Sequence, residues 1–229
     1  MLRNNNCHLC KKLEFMFWYE DEIKQLERKM VNPKTEKKRV VFYGSSSIHY
    51  WETIQSDFSE FEVVNQGFGG STLAACCWFF ERVIPRFQPD IIVLYAGDND
   101  LGDGRHPEEV FLYFTNIMAL IQKHCGNIPV AFISVKTSPA RQFLYNSIIY
   151  TNDIIREEIL RNYNQCTFVD IVSPMKKNGL IDRMLFNEDG LHLSKKGYKI
   201  WAKELKEQFL NRVLSTDMTS KVVKLSKAE

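Results

Sequence analysis

Four short blocks of the chain carry residue types that could do chemistry together. They are Gly44-Ser45-Ser46-Ser47-Ile48, the turn-rich Asn65-Gln66-Gly67-Phe68-Gly69-Gly70-Ser71-Thr72, Gly97-Asp98-Asn99-Asp100, and Asp189-Gly190-Leu191-His192. Each has an ordinary structural explanation. A serine cluster after a strand caps a helix. A glycine run makes a tight turn or cradles a phosphate, and Gly-Asp-Asn-Asp is a plausible turn. An Asp and a His three residues apart occur often by chance. Taken together, the blocks supply the parts of an acyl-transfer site. A serine hydroxyl becomes nucleophilic when a base lies within hydrogen-bond reach, and the base needs an orienting acid. The developing oxyanion needs fixed donors, such as backbone N–H groups or an Asn amide.

The elements around these blocks explain how they could meet. Short runs rich in β-branched and aromatic residues occupy 39–43, 61–65, 90–95, 128–135 and 167–170. Helix-length segments lie between and after them at about 48–58, 73–87, 107–124, 143–162 and 195–214, with Pro107 suited to a helix start and Gly126 to a helix end. Alternating strands and helices, with strands that are nearly continuous apolar runs, predict an α/β protein whose parallel sheet is covered on both faces. Ligands bind such sheets beyond the carboxyl ends of the strands. Three of the blocks follow strands directly, and the fourth precedes the last helix.

The four blocks in this order resemble those of the SGNH hydrolases, also called GDSL-type esterases, over roughly residues 38–212. The likeness is to the branch whose first block reads Gly-Ser-Ser-Ser-Ile followed by an aromatic residue and Trp; here His49, Tyr50 and Trp51 follow Ile48. The resemblance implies a three-layer α/β/α sandwich with a five-stranded parallel sheet of flavodoxin-like architecture. It maps the nucleophile to Ser46, with Ser45 standing where most members carry Asp. It maps the second-block glycine to Gly70, with Gly69 as the fallback, the third block to Asn99, and the acid and base to Asp189 and His192. The implied oxyanion hole comprises the Ser46 N–H, the Gly70 N–H and the Asn99 side-chain amide. In the similar branch a segment like Lys136-Thr137-Ser138-Pro139-Ala140-Arg141 borders the active site, so Arg141 becomes a candidate for meeting a polar or anionic substrate group. Tyr50, Trp51 and Phe68 are candidates for lining an acyl or sugar pocket, although aromatic residues beside a glycine loop more often pack.

Rival assignments are weaker. His49 lies one helical turn after Ser46 but has no acid at a comparable spacing. Asp170 ends the fifth strand, and the Asp-x-x-His spacing favours Asp189 over it. A G-x-S-x-G elbow is not matched, because Ile48 stands in place of its second glycine. Asp98 and Asp100 lack a convergent His or Cys set and read as loop-shaping residues, so no metal or cofactor is implied. Cys7-His8-Leu9-Cys10 is half of a zinc pattern at most.

Composition sets outer limits. The 229 residues suit one decorated domain. With 30 Lys+Arg against 28 Asp+Glu the net charge is +2, which lacks the basic surplus of a nucleic-acid binder. The longest clean apolar run, residues 73–80, falls far short of the ~20 residues of a membrane span. Six cysteines, two of them adjacent in that run, read as reduced thiols in a chain large enough to form its own core. A cytoplasmic location is the corresponding expectation. Residues 1–36 read as an extension with one amphipathic helix over 13–30, presenting Phe17, Ile23, Leu26 and Met30 on the face that packs on the domain. Residues 37–215 read as the catalytic domain and 216–229 as a polar tail. The Lys37-Lys38-Arg39 run reads as a solvated approach to the first strand. The function expected is hydrolysis of a small-molecule ester with a short acyl group, acetyl first, with acetylated carbohydrates among the candidates. A lysophospholipase or thioesterase is the enzymatic alternative, and a binding module that retains the fold is the other.

Overall fold

The computed structural model describes residues 16–215. In chain order its main elements are α1 (Glu20–Arg28), β1 (Arg39–Gly44), α2 (Ser46–His49), α3 (Ile54–Asp57), β2 (Glu62–Gly67), α4 (Leu73–Val83), β3 (Ile91–Tyr95), α5 (Asp98–Gly102), α6 (Pro107–Cys125), β4 (Val130–Ile133), α7 (Tyr145–Asn162), β5 (Cys166–Val169) and α8 (Lys195–Leu205). Two short strands, β6 (Lys176–Lys177) and β7 (Leu180–Ile181), form a hairpin between β5 and α8. The five long strands form one parallel sheet in the order β2-β1-β3-β4-β5. This is the flavodoxin-like order, whose direction of winding reverses between β1 and β3 and opens a crevice there.

Alternation along the strands sends side chains to two cores. Val41, Tyr43, Ile92 and Leu94 pack with α1, α4, α6 and α7 on one face. Val40, Phe42, Ile91 and Val93 pack with α2, α3 and α8 on the other. All six residues of β1 are buried, as a central parallel strand requires. That burial includes Arg39, contrary to a solvated approach. Its guanidinium donates to Glu62 Oε1 at 2.7 and 2.9 Å and to the Phe87 and Asn32 carbonyls, so charge and donors are matched.

Other expectations need correction. The buried face of the N-terminal segment is Met16, Tyr19, Ile23 and Leu26, whereas Phe17 is 72% and Met30 84% exposed. The 3- and 4-residue steps from 16 to 26 hold one stripe, and the chain leaves the helix at Lys29 before Met30 can join it. The segment 48–58 is two short helices. The Trp51 indole and the Thr53 hydroxyl both donate to Asp57 Oδ2, at 2.7 and 2.6 Å, across the break. The helix begun at Leu73 stops at Val83, just before Pro85. Cys76, Cys77 and Cys166 are buried free thiols, and burial raises the pKa of each. The Cys7–Cys10 motif and the tail from 216 lie outside the described residues. Among the described residues no helix is long and apolar enough to cross a membrane.

Candidate active site

The crevice between β1 and β3 gathers the first and third blocks. β1 ends at Gly44, whose φ is +138° and where a Cβ would lie 1.8 Å from the Tyr95 carbonyl oxygen, so only glycine lets the two strands run this close. The Ser45 N–H still donates to that carbonyl at 2.9 Å, and the chain then turns into α2 with Ser46 at its first position. The Ser46 N–H therefore has no partner within its own helix. Its hydroxyl lies 3.1 Å from His192 Nε2.

His192 comes from the loop before α8. Its Nδ1 is 2.5 Å from Asp189 Oδ2, while Asp189 Oδ1 accepts from the Leu191 and His192 N–H groups at 2.9 and 3.0 Å. Burial pushes the Asp189 carboxyl upward, but these hydrogen bonds and the imidazole outweigh it and leave its pKa below the ordinary value. The carboxylate holds Nδ1 in the donor role, which leaves Nε2 facing Ser46 as the acceptor. The loop is pinned from both sides. The Asn187 N–H donates to the His192 carbonyl at 2.8 Å, and the Ala140 N–H donates to the Gly190 carbonyl at 3.1 Å.

Asn99, at the second position of α5, is held at both ends of its amide. Nδ2 donates to the Ser71 carbonyl at 3.0 Å, and Oδ1 accepts from Arg141 Nη2 at 2.8 Å. Behind it the buried Asp98 carboxylate contacts Lys136 Nζ at 2.6 Å and Arg141 Nη1 at 3.1 Å. Burial raises the Asp98 pKa, but the two cations outweigh that and hold it low. Asp100 accepts from the Leu73 and Ala74 N–H groups at the start of α4. Desolvation dominates there, and its pKa rises to about 6 despite those bonds and nearby Arg105. Asn99 and Asp100 thus lock the loop after β3 to the segment that follows the glycine run. Gly70 lies in that run with φ +62°, exposed, with open space where a Cβ would be.

Ser46, His192 and Asp189 form one hydrogen-bonded relay, and Asn99 reaches the Ser71 end of the glycine loop. The rivals sit elsewhere. His49 Nδ1 is engaged with the Gly67 carbonyl at 3.2 Å, and Asp170 Oδ1 accepts from Val172 and Ser173 N–H. Of the aromatic candidates, only Tyr50 borders the relay; its exposed ring meets His192 edge-on at 5.3 Å. Trp51 and Phe68 are core residues, 1% and 0% exposed, packed on Trp201 and on Tyr19 and Phe79 respectively. Neither is available to line a pocket. Arg141 is occupied by Asn99 and Asp98.

Residues that sequence reasoning passed over complete the surroundings. A cavity of about 470 Å³ opens beside His192, walled by Tyr50, Glu52, Thr53, Asn187 and Lys195. Lys136, named in the sequence only as the start of the segment that carries Arg141, contacts Asp98 beside Asn99. Tyr19 and Glu22 reach the glycine loop from α1 and its cap, with no sequence signal beyond the helical stripe that docks them.

The model of the GDSL-like lipase/acylhydrolase family matches residues 41–200, and the chain belongs to that family. Solved structures share its fold. A Streptococcus pneumonia protein provisionally described as a platelet activating factor superposes with a TM-score of 0.73 at 21% identity, covering 89% of this chain and 99% of that one. A GDSL-like lipase from Bacteroides thetaiotaomicron gives 0.68 at 22% identity, covering 84% and 95%. An acetyl xylan esterase gives 0.63 at 21% identity, covering 74% and 98%. No curated protein matches the chain.

Proposed function

We propose that this hydrolase is a serine esterase that removes a short acyl group, acetyl in the first place, from an alcohol oxygen. The observation that carries the reading is the Ser46–His192–Asp189 relay, with 3.1 Å from hydroxyl to Nε2 and 2.5 Å from Nδ1 to carboxylate. Ser46 Oγ attacks the ester carbonyl carbon while its proton passes to His192 Nε2. Asp189 holds the tautomer and stabilises the imidazolium. The tetrahedral oxyanion is received by the Ser46 and Gly70 N–H groups and by Asn99 Nδ2. When the ester C–O bond breaks, His192 returns the proton to the departing alkoxide. Water then attacks the acyl-enzyme, giving one proton to His192, which passes it back to Ser46 Oγ as the carboxylic acid leaves. Residues 37–215 form the catalytic domain in this reading.

The leaving alcohol must lie on the His192 side to receive its proton. The cavity there combines hydroxyl, amide and charged groups with apolar wall from Leu193 and the rings of Tyr50 and Tyr198, and polar groups beside aromatic rings suit a hydroxylated leaving group such as a sugar. The fold shared with an acetyl xylan esterase is consistent with that choice. A lysophospholipase is the second reading. It is favoured by Phe143, Leu180 and Met184, which are exposed on the segments that follow β4 and β5. Hydrolysis of p-nitrophenyl esters of increasing chain length, with Ser46→Ala as control, separates them. A Ser46-dependent peak at acetate supports the first reading, a peak at long chains supports the second, and absence of Ser46-dependent hydrolysis on any ester refutes both.

A further inference from the structure

The helix α1 lies wholly outside the residues matched by the family model, 41–200, yet it touches the glycine loop at two consecutive residues. The Gly69 N–H donates to Glu22 Oε2 at 2.7 Å. The Tyr19 hydroxyl donates to the Gly70 carbonyl at 3.0 Å. These two groups belong to different peptide units. The Gly69 N–H is on the unit before the one that carries the Gly70 N–H, and the Gly70 carbonyl is on the unit after it. The proposed oxyanion donor therefore sits on the single peptide plane between two anchored ones. A Gly-Gly pair has wide backbone freedom without such anchors, and Gly70 already occupies the left-handed region at φ +62°.

The anchors are themselves fixed. The Tyr19 ring packs edge-on against Phe68 at 5.4 Å and Phe79 at 6.2 Å, and Ile23 and Leu26 are buried beside it. Arg82 of α4 holds Glu20 and Glu27 at 2.7 and 2.8 Å, one at each end of α1. Burial, followed by nearby Asp103, pushes the Tyr19 phenol up to about 12, so its hydroxyl remains a donor throughout the working pH range. On the far side of the loop, Asn99 Nδ2 holds the Ser71 carbonyl.

We infer that Tyr19 and Glu22 are positioning residues of the active site, and that the N-terminal helix clamps the glycine loop so that the Gly70 N–H faces the oxyanion. The inference rests on the reading of Ser46 as nucleophile and Gly70 as oxyanion donor. Tyr19→Phe keeps the ring packing and removes only the hydroxyl. Glu22→Ala removes the acceptor, and Glu22→Gln restores an acceptor of the same length. All are assayed in the full chain with p-nitrophenyl acetate. Active sites are titrated with a fluorophosphonate that labels Ser46, and melting temperature is recorded alongside. Misplacing a reacting geometry by about 1 Å can cost on the order of 100-fold, so the expected result for Tyr19→Phe/Glu22→Ala is a roughly 10- to 100-fold fall in kcat per titrated site. KM should be nearly unchanged, and Glu22→Gln should recover most of the loss from the Glu22→Ala step. A kcat per site equal to wild type overturns the inference while leaving the esterase reading intact. So does a loss that merely follows the titrated fraction or melting temperature. If wild type shows neither Ser46-dependent hydrolysis nor Ser46 labelling, the esterase reading falls and the clamp with it.

Discussion

Replacing Arg141 by alanine separates two roles for one side chain. Arg141 follows the fourth strand at the active-site edge, where a cation could meet a charged part of the substrate. In the structure it spends its donors internally. Nη2 donates to Asn99 Oδ1 at 2.8 Å, Nη1 lies 3.1 Å from Asp98 Oδ2, and only 17% of the side chain is exposed. Holding Oδ1 turns Nδ2 the other way, toward Ser71 and the proposed oxyanion position. A hydrogen bond from a charged donor is worth ~1.5–3 kcal/mol. If all of it serves to orient the amide, the ceiling in kcat is roughly 10- to 100-fold. The lower end is expected, because Nδ2 keeps its bond to the Ser71 carbonyl. The assay is kcat and KM on p-nitrophenyl acetate for Arg141→Ala, Asn99→Ala and the double variant. Arg141→Ala should lower kcat about tenfold with KM unchanged. It should add little once Asn99 is gone, because the two side chains act through one contact. Arg141→Lys should rescue poorly, since an ammonium cannot contact Asp98 and Asn99 with the planar fork used here. A raised KM with intact kcat, or full additivity with Asn99→Ala, refutes the reasoning and returns Arg141 to the substrate.

Asn99→Ala alone should lower kcat about 10²–10³-fold, the usual cost of one oxyanion donor, with KM changed much less; a change confined to KM counts against the amide as a donor. Asp189→Asn should lower kcat by about 10⁴, because an amide can stabilise the wrong imidazole tautomer, and circular dichroism should show the fold intact. Asp100, fully buried, titrates in the fold at about 6 against an ordinary 3.8. The folded state therefore binds the proton more tightly than the unfolded chain does. The contribution is most favourable below about pH 4 and falls as pH rises to about 6, by at most about 3 kcal/mol, and is constant above that. Asp100→Asn removes this contribution, so between pH 4 and 6 its urea-unfolding stability should rise more, or fall less, than that of wild type; identical slopes would refute the assignment.

Periodicity made the sheet legible because β1, β3 and β4 are buried along their whole length and are nearly continuous apolar runs, while β2 and β5, at the sheet edges, are half-buried and still rich in β-branched and aromatic residues. The order of the strands is not a local property. It follows from which helix covers which face, and nothing in the spacing of Val40 to Tyr43 indicates that β1 lies between β2 and β3. The members of the relay were legible only jointly: each block alone has an ordinary explanation, and it was the four blocks in order, with the family resemblance they carry, that singled out Ser46, Asp189 and His192. The aromatic residues were not legible. Tyr50 and Trp51 follow the first block and Phe68 lies within the second, yet only Tyr50 faces His192 and the other two face the core. Helical and loop phase near a turn decides that, and one residue reverses it. Arg141 was placed at the correct edge, but its partners Asp98 and Asn99 are 43 and 42 positions away, a distance across which residue type alone names no contact.

The relay also shows how an exposed site can be kept in register. Ser46 and His192 are 146 residues apart, and their 3.1 Å separation depends on two independent docking events. One joins α8 to the loop after β1, where the Tyr198 hydroxyl donates to the Ser47 carbonyl at 3.0 Å and the Tyr198 ring packs on Trp51. The other joins the Asp189–His192 loop to the segment after β4 through the Gly190 carbonyl and the Ala140 N–H. Gly190 has φ +64°, and a Cβ there would come within 3.3 Å of Pro139. A side chain at this turn would be strained by the left-handed φ and would press on Pro139, so glycine eases the close passage of the loop. The same segment after β4 carries Arg141, which orients Asn99. One stretch of chain thus supports both the proposed base and the proposed oxyanion donor, so displacing it should disturb proton transfer and charge stabilisation together.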